Sequence, residues 1–422
     1  MSKNVSYPDD WQKTTLSVVA DFLNGYPFKP RDWGSFGLPI VRIAHMTDSS
    51  AGCDYFADPL PKQYRIDTGD LLFSWSATLM AKIWQRGPAY LNQHIYKVVP
   101  RNGYDVRFIH HLLNRLIEQM ANQSHGTTMQ HITRGDMLPF PVSLPDTPEQ
   151  SRIAVVLDII DNAIAKSKAT IEKLNQVRAG LLHDLLTRGL DEHGHLRDPI
   201  AHPEQFQDTH LGRFPQDWLV VPLGHFIASA EYGISTSLNS VGTMPVLRMN
   251  NITNGEASLG DLKFVSYEVS NKLLLRNGDV LFNRTNSYEH VGRTGIWRGQ
   301  MSVATFASYL VRLNPFPDRL TSEFLNLLLN MPDTQKRMRR FATPAVQQVN
   351  INPTNLQKMT VSVPKKVKEQ GRIIEVAQQN AHGLIVEEEE LRKLISLKCG
   401  LMSDVLTGRV RVPETLKLEV GS

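Results

Sequence analysis

The side chains in this sequence best suited to chemistry are a run of histidines and four loops crowded with arginine, amide and hydroxyl groups. "DEHGHLRDPIAHPEQF" carries His193, His195 and His202, and imidazole is a common zinc ligand. The three lack compact helical spacing and stand between two regularly patterned regions, so a polar linker is expected over 191–207 and no metal. Cys53 and Cys399 have no neighbouring thiol or ligand spacing, which argues against a disulfide framework or zinc ribbon. No Gly-rich phosphate loop, GxSxG elbow or HExxH helix is present. "NPFP" at Asn314 lacks the aromatic that an amino-methyltransferase would set against a flipped base. No catalytic residue is expected.

The loops offer binding instead. Following a Gly-Asp pair, "FSWSATLMAKIWQRG" presents Ser74, Ser76, Thr78 and Lys82 around Trp75, and "FNRTNSYEHVGRTGIWRG" presents Arg284, Asn286, Tyr288, His290 and Arg293. Further along, "SHGTTMQHITRGD" carries His125, Thr127, Thr128, Gln130, His131 and Arg134. Its counterpart "RMRRFATPAVQQVNIN" carries Arg337, Arg339, Arg340, Thr343, Gln347, Gln348 and Asn350. Arginine and amide groups pair with base edges and phosphates, so these residues are candidate DNA contacts, with the three arginines at 337–340 suited to phosphates. Arg42 and Arg248 stand at matching places in apolar strands and suggest a shared structural or phosphate-positioning role. For any single loop residue an ordinary exposed polar role competes with a base contact.

These loops sit on a pattern that occurs twice. "YPDDW" returns as "FPQDW", "LPIVRIAHM" as "MPVLRMNNI", "GDLLFS" as "GDVLFN", "FIHHLLN" as "FLNLLLN", and "EQSRIAVV" as "EQGRIIEV", always in the same order. Each copy begins with short β-branched and alternating apolar runs broken by Gly and Pro, which predict a twisted sheet with adjoining helices. Each copy then ends in a long helix closed by nearly the same words, "GLLHDLLTRGL" and "GLMSDVLTGRV".

That helix has the clearest periodicity. Ile153, Leu157, Ile160, Ile164, Ser167, Ile171, Leu174, Arg178, Leu181 and Leu185 alternate steps of four and three. Ile373, Ala377, Asn380, Leu384, Glu387, Leu391, Leu394, Lys398, Leu401 and Val405 repeat them. Sustained spacing of this kind predicts a coiled-coil seam, over about 60 Å for a helix of about 40 residues. The other copy is the natural partner, in an antiparallel pair, and the competing reading makes the stripe a core face against its own domain. The expected fold class is α+β: a pseudo-twofold tandem repeat of two similar heads separated by an antiparallel coiled coil.

Composition fits without deciding function. The chain has 422 residues, 41% hydrophobic and 21% charged, with a net charge of +4 and a pI near 8.9. It is long enough for two or more domains, permits a nucleic-acid partner without demanding one, and has no apolar run of the roughly 20 residues a membrane span needs. A cytoplasmic protein is expected.

The head-helix-head-helix plan, the two helix endings, the junction "LGRFPQDWLVVPLG" and "GDLLFSWSATLMAKIWQRGPAYLNQHIYKV" resemble the specificity subunit of type I restriction-modification systems over essentially the whole chain. The resemblance implies target-recognition domains at 1–146 and 208–363, spacer helices at 147–190 and 364–412, and a tail at 413–422. It implies a non-catalytic subunit in which each head reads half of a split asymmetric target in double-stranded DNA. Two modification subunits would use S-adenosylmethionine to methylate adenine at N6, and two restriction subunits would use ATP and magnesium. No cofactor is expected in this chain. Two alternatives are a specificity partner for a fused nuclease-methyltransferase or methylation-only defence system, and a coiled-coil scaffold that binds proteins only.

Overall fold

The computed structural model describes residues 7–48, 50–123, 132–345 and 348–415. They fall into two compact units, Met1–Thr170 with Glu387–Ser422, and Ile171–Val386. In the first unit an antiparallel sheet runs in the order Ala20–Asn24, Ile95–Pro100, Leu71–Ser74, Met80–Ile83. A second sheet pairs Leu38–Val41 in parallel with Ala89–Leu91. The helix Val106–Gln123 packs on the first sheet, burying Phe108, Leu112 and Leu116 against Phe22, Phe73 and Val98.

The second unit repeats the order of the first sheet and the parallel pair, with further short strands added at the sheet's edge. Its sheet begins Ile227–Tyr232, Leu310–Pro315, Val280–Asn283, Thr294–Ile296, and Met244–Leu247 lies parallel to Thr305–Phe306. The repeated Gly-Asp pair is a structural device. Gly69 and Gly278 have φ of +96° and +90°, where a Cβ is strained. Asp70 accepts from the Asp67 amide and from Lys97 Nζ, each at 2.7 Å. Asp279 likewise accepts from the Arg276 amide at 2.9 Å and from Arg312 Nη1 at 2.7 Å.

Both long helices are present, as Thr147–Thr187 and Val367–Val405. Every seam position is buried or half-buried, including Ile153, Leu157, Ile160, Ile164, Ile171, Leu174, Leu181, Leu185, Ile373, Leu384, Leu391, Leu394, Leu401 and Val405, and those from Ser167 to Arg178 and from Leu384 to Lys398 have exposed neighbours on both sides. Within the first unit the helices run antiparallel, since Ile153 and Leu157 share a core with Val405 while Asp161 meets Lys398 Nζ at 2.5 Å. The polar residue at 398 is therefore an ion pair in the seam. In the second unit Leu185 and Leu186 share a core with Ile373 and Ala377. Both readings of the stripe thus hold in part: it joins helix to helix, and at each C-terminus it enters a head core.

The repeated motifs meet where a helix end enters a head. In the second unit Glu369 is 2% exposed and accepts from Arg197 Nη1 at 2.6 Å, Arg197 Nη2 at 3.2 Å, the Trp218 indole at 3.2 Å and the Leu190 amide at 3.1 Å. Burial works against the Arg197 charge, but Glu369 and then Asp217 outweigh it and raise its pKa. In the first unit Glu149 takes two bonds from Arg411, at 2.7 and 2.6 Å, while Asp10 holds the same guanidinium. Gly189 and Gly408, with φ of +65° and +72°, close the two helix ends where an added Cβ would lie 2.7 Å from Trp218 and 3.1 Å from Trp11.

The segment 191–207 is a folded strap and not the expected linker. Asp191 caps the amides of His193 and His195, and Phe206–Thr209 forms a hairpin with Gly212–Pro215. Arg197 anchors this strap to Glu369. Among the described residues no histidine, cysteine and carboxylate cluster could hold a metal, and no helix is long and apolar enough to cross a membrane.

Removing one partner of a buried ion pair strands the other, at a cost of about 3–5 kcal/mol. Glu369→Ala is expected to destabilise the protein by about that amount in urea unfolding. Arg197→Ala added to it should cost little more. Additive losses would show that the two side chains act independently.

Candidate nucleic-acid interface

In the second unit the two donor-rich loops become one surface. Thr285–Asn286 pairs with Gln348–Ile351, which forms a hairpin with Ala342–Ala345. Asn350 Nδ2 donates to Thr285 Oγ1 at 2.8 Å, Thr343 Oγ1 donates to the Asn350 carbonyl at 3.1 Å, and Arg339 Nη2 donates to the Glu289 carbonyl at 3.2 Å. Gly292 has a φ of +88° and a Cβ there would lie 2.6 Å from Met338 Sδ, so the loop turns tightly against the helix Pro332–Met338. Gln335 Nε2 fixes the same turn through the Gly292 carbonyl at 2.7 Å.

This arrangement leaves Tyr288, His290 and Arg340 exposed, with Asn286, Arg293 and Gln348 half-buried beside them. The Arg284 guanidinium lies over the Tyr232 ring, 5.0 Å from its centroid, a cation–π contact that leaves Tyr232 46% exposed. Tyr309 is similarly exposed, and its carbonyl accepts from the Arg284 amide at 3.0 Å. Sequence reasoning missed Tyr232 and Tyr309. Tyr232 ends one strand and Tyr309 precedes another, and only the pairing places them beside Arg284.

The first unit joins its loops at the corresponding point. The Ile132 amide donates to the Trp75 carbonyl at 3.0 Å, and the Trp75 indole donates to the Gln93 carbonyl at 3.2 Å. Thr78 and Arg134 are exposed. Thr127, Thr128, Gln130, His131 and Gln347 lie outside the described residues, as does His125.

Several expected contacts are instead committed to the fold. Ser74 is fully buried and Ser76 nearly so, with Ser74 Oγ donating to the Ser76 carbonyl at 3.2 Å. Neither can reach a groove. Lys82 Nζ donates to the Met46 carbonyl at 2.7 Å, and burial and then Arg86 lower its pKa. Arg42 is held by Asp54 at 2.7 Å beneath Trp33, and Arg248 by Asp261 at 2.7 Å. Their backbone amides donate to His45 Nδ1 and Asn251 Oδ1, both at 2.9 Å. The shared arginine thus has a structural role at a strand-to-helix turn. Arg337 is half-buried and donates to the Thr360 carbonyl at 2.8 Å, with its pKa lowered by burial.

Comparison with known proteins places this double plan. The Type I restriction modification DNA specificity domain matches residues 8–176 and again 215–393. The EcoBI specificity subunit of Escherichia coli is 24% identical over 389 residues, covering 89% of this chain and 80% of that one. The MjaVIII specificity subunit of Methanocaldococcus jannaschii is 22% identical over 433 residues, covering 96% and 94%. Among solved structures, the type I system S subunit from M. genitalium superposes with a TM-score of 0.55 at 14% identity, covering 96% of this chain and 97% of that one. A chain from a structure describing assembly of a type I system gives 0.54 at 17% identity, covering 96% and 100%.

Arg340 and Arg248 separate surface from scaffold. Each phosphate contact contributes about 0.9 to the slope of log affinity against log salt. Arg340→Ala should lower that slope for duplex DNA by about one, with unchanged thermal stability. Arg248→Ala should lower the melting temperature and leave the slope alone. Fluorescence anisotropy over a salt series reads the first effect and calorimetry the second.

Proposed function

The chain belongs to the type I restriction modification DNA specificity family, and from that premise we propose that each unit reads one half of a split, asymmetric DNA target. The observation that carries this reading is the repetition of one scaffold with different side chains at the same exposed place: Trp75 with Thr78 and Arg134 in one unit, Arg284 with Tyr288 and Arg340 in the other. A repeated fold supplies equivalent placement, and divergent loops supply different preferences. The protein would act by positioning, with two modification subunits carrying S-adenosylmethionine to adenine N6. Two restriction subunits would use ATP and magnesium. Extruding the adenine costs a few kcal/mol that binding must offset. Partner subunits enclosing the duplex would supply part of the phosphate neutralisation, which suits the modest charge of +4.

The long helices serve as the ruler in this proposal. Their register fixes the unspecified gap between half-sites, and their exposed faces dock the modification subunits.

Co-expression with the neighbouring methyltransferase subunit, followed by single-molecule mapping of N6-methyladenine, should reveal a split motif with a fixed gap. Replacing residues 208–363 by the matching segment of a relative should change one half only. A stably assembled, cofactor-binding complex that methylates nothing would favour a protein scaffold instead. Inserting one heptad into the 153–185 seam, matched within 373–405, should lengthen the gap and keep both half-sites. An unchanged gap would remove the ruler.

A further inference from the structure

The same place in the two units is built with different side chains. Gly25 and Gly233 are equivalent: a Cβ on Gly25 would lie 2.2 Å from the Asn92 carbonyl oxygen, and one on Gly233 would lie 2.1 Å from that of Phe306. The residue before each glycine therefore occupies one position on the common scaffold. In the second unit it is Tyr232, capped by Arg284. In the first it is Asn24, and beside it lies an open cleft of about 400 Å³ lined by Leu23, Asn24, Pro27, Gln63, Gln93 and Arg134, among others.

The chemistry of this cleft is specific. Three carboxamides, from Asn24, Gln63 and Gln93, line one space with an apolar wall supplied by Leu23 and Pro27. Asn24 and Gln63 are exposed, and Gln93 is half-buried with its Nε2 3.4 Å from His94 Nε2, so the first two amides are open to a ligand and the third in part. Gln93 is positioned by its backbone, whose amide donates to the Tyr26 carbonyl at 3.0 Å and whose carbonyl holds the Trp75 indole. Tyr64, which also lines the cleft, meets Tyr26 edge to face at 5.4 Å. Arg134 stands at the rim as a cation.

A carboxamide offers one donor and one acceptor side by side, which matches the N6 donor and N7 acceptor of adenine in the major groove. The thymine paired with that adenine presents a C5-methyl group that an apolar wall can receive. We infer that this cleft reads an A·T base pair of the first half-site through its major-groove edge, with the amides on adenine, Leu23 or Pro27 on the thymine methyl, and Arg134 on a flanking phosphate. The adenine that becomes methylated is extruded from the duplex, so the pair read here is a different one. This inference rests on the proposed DNA-reading function and adds the base class for one unit. The second unit, with a ring and a guanidinium filling the same position, reads its half by different chemistry.

Asn24→Ala and Gln63→Leu, made separately in the full chain and co-expressed with the methyltransferase subunit, test it. Methylation mapping should show one A·T position of the first half relaxed, with the gap and second half unchanged. In vitro, 7-deazaadenine or uracil at that position should weaken binding of the unaltered complex by about ten-fold to a hundred-fold. The same analogues should have little effect on the variant complexes. A merely structural role for the amides would lower stability without making binding insensitive to the loss of N7 or the methyl. If the unaltered complex yields a split motif and both variants keep its first half intact, the inference fails while the DNA-reading function stands. If the unaltered complex yields no split motif, the underlying reading fails first.

Discussion

A buried carboxylate at the start of each long helix organises everything else. Glu369 accepts from a guanidinium, an indole and a backbone amide at once, and Glu149 does the same work with Arg411. A charge removed from water persists only when its oxygens are satisfied by charge-assisted partners. In the second unit the partners are Leu190 just past the first long helix, Arg197 in the strap and Trp218; in the first unit Arg411, just past the second long helix, supplies the guanidinium. Meeting that one requirement draws together the Glu-Gln and Asp-Trp words of the repeat with the segments that follow the two long helices.

The neighbouring glutamine completes the junction. Gln150 Oε1 accepts from the Asp105 amide at 3.1 Å and its Nε2 donates to the Pro145 carbonyl at 2.9 Å. Gln370 makes the equivalent pair with Thr321 at 3.0 Å and Pro364 at 3.1 Å. Head helix, terminal strand and long helix are thereby held in a common geometry in each unit. The donor-rich loops grow from strands of the same head, so their placement inherits this rigidity.

The repeat, its order and the seam were legible because periodicity and duplicated words survive in a linear string. Leu157 and Val405 announce themselves by spacing alone. Burial of polar residues does not: Ser74 reads as an exposed loop hydroxyl, yet it ends a central strand whose four residues are all buried. Arg42 and Arg248 could be aligned, but their carboxylates, Asp54 and Asp261, come from neighbouring segments that differ between the copies. The strap at 191–207 looked like a linker because polar composition conceals Arg197, whose partner is far away in sequence. Asn24 and Gln93 gave no signal, since only the fold brings strand ends to one cleft.

Vectorial synthesis gives the exchanged helix ends a temporal meaning. Residues 171–386 form one contiguous unit, so it can close as soon as that stretch has left the ribosome. The first unit cannot, although its sheet is made earlier. Its core stays open until Val405, Leu406 and Val412 arrive, and Glu149 waits for Arg411. At about 5–20 residues per second, more than two hundred residues separate Glu149 from its guanidinium, so the head made first spends at least ten seconds or so incomplete. A segment translated later therefore seals a head whose sheet was translated before it.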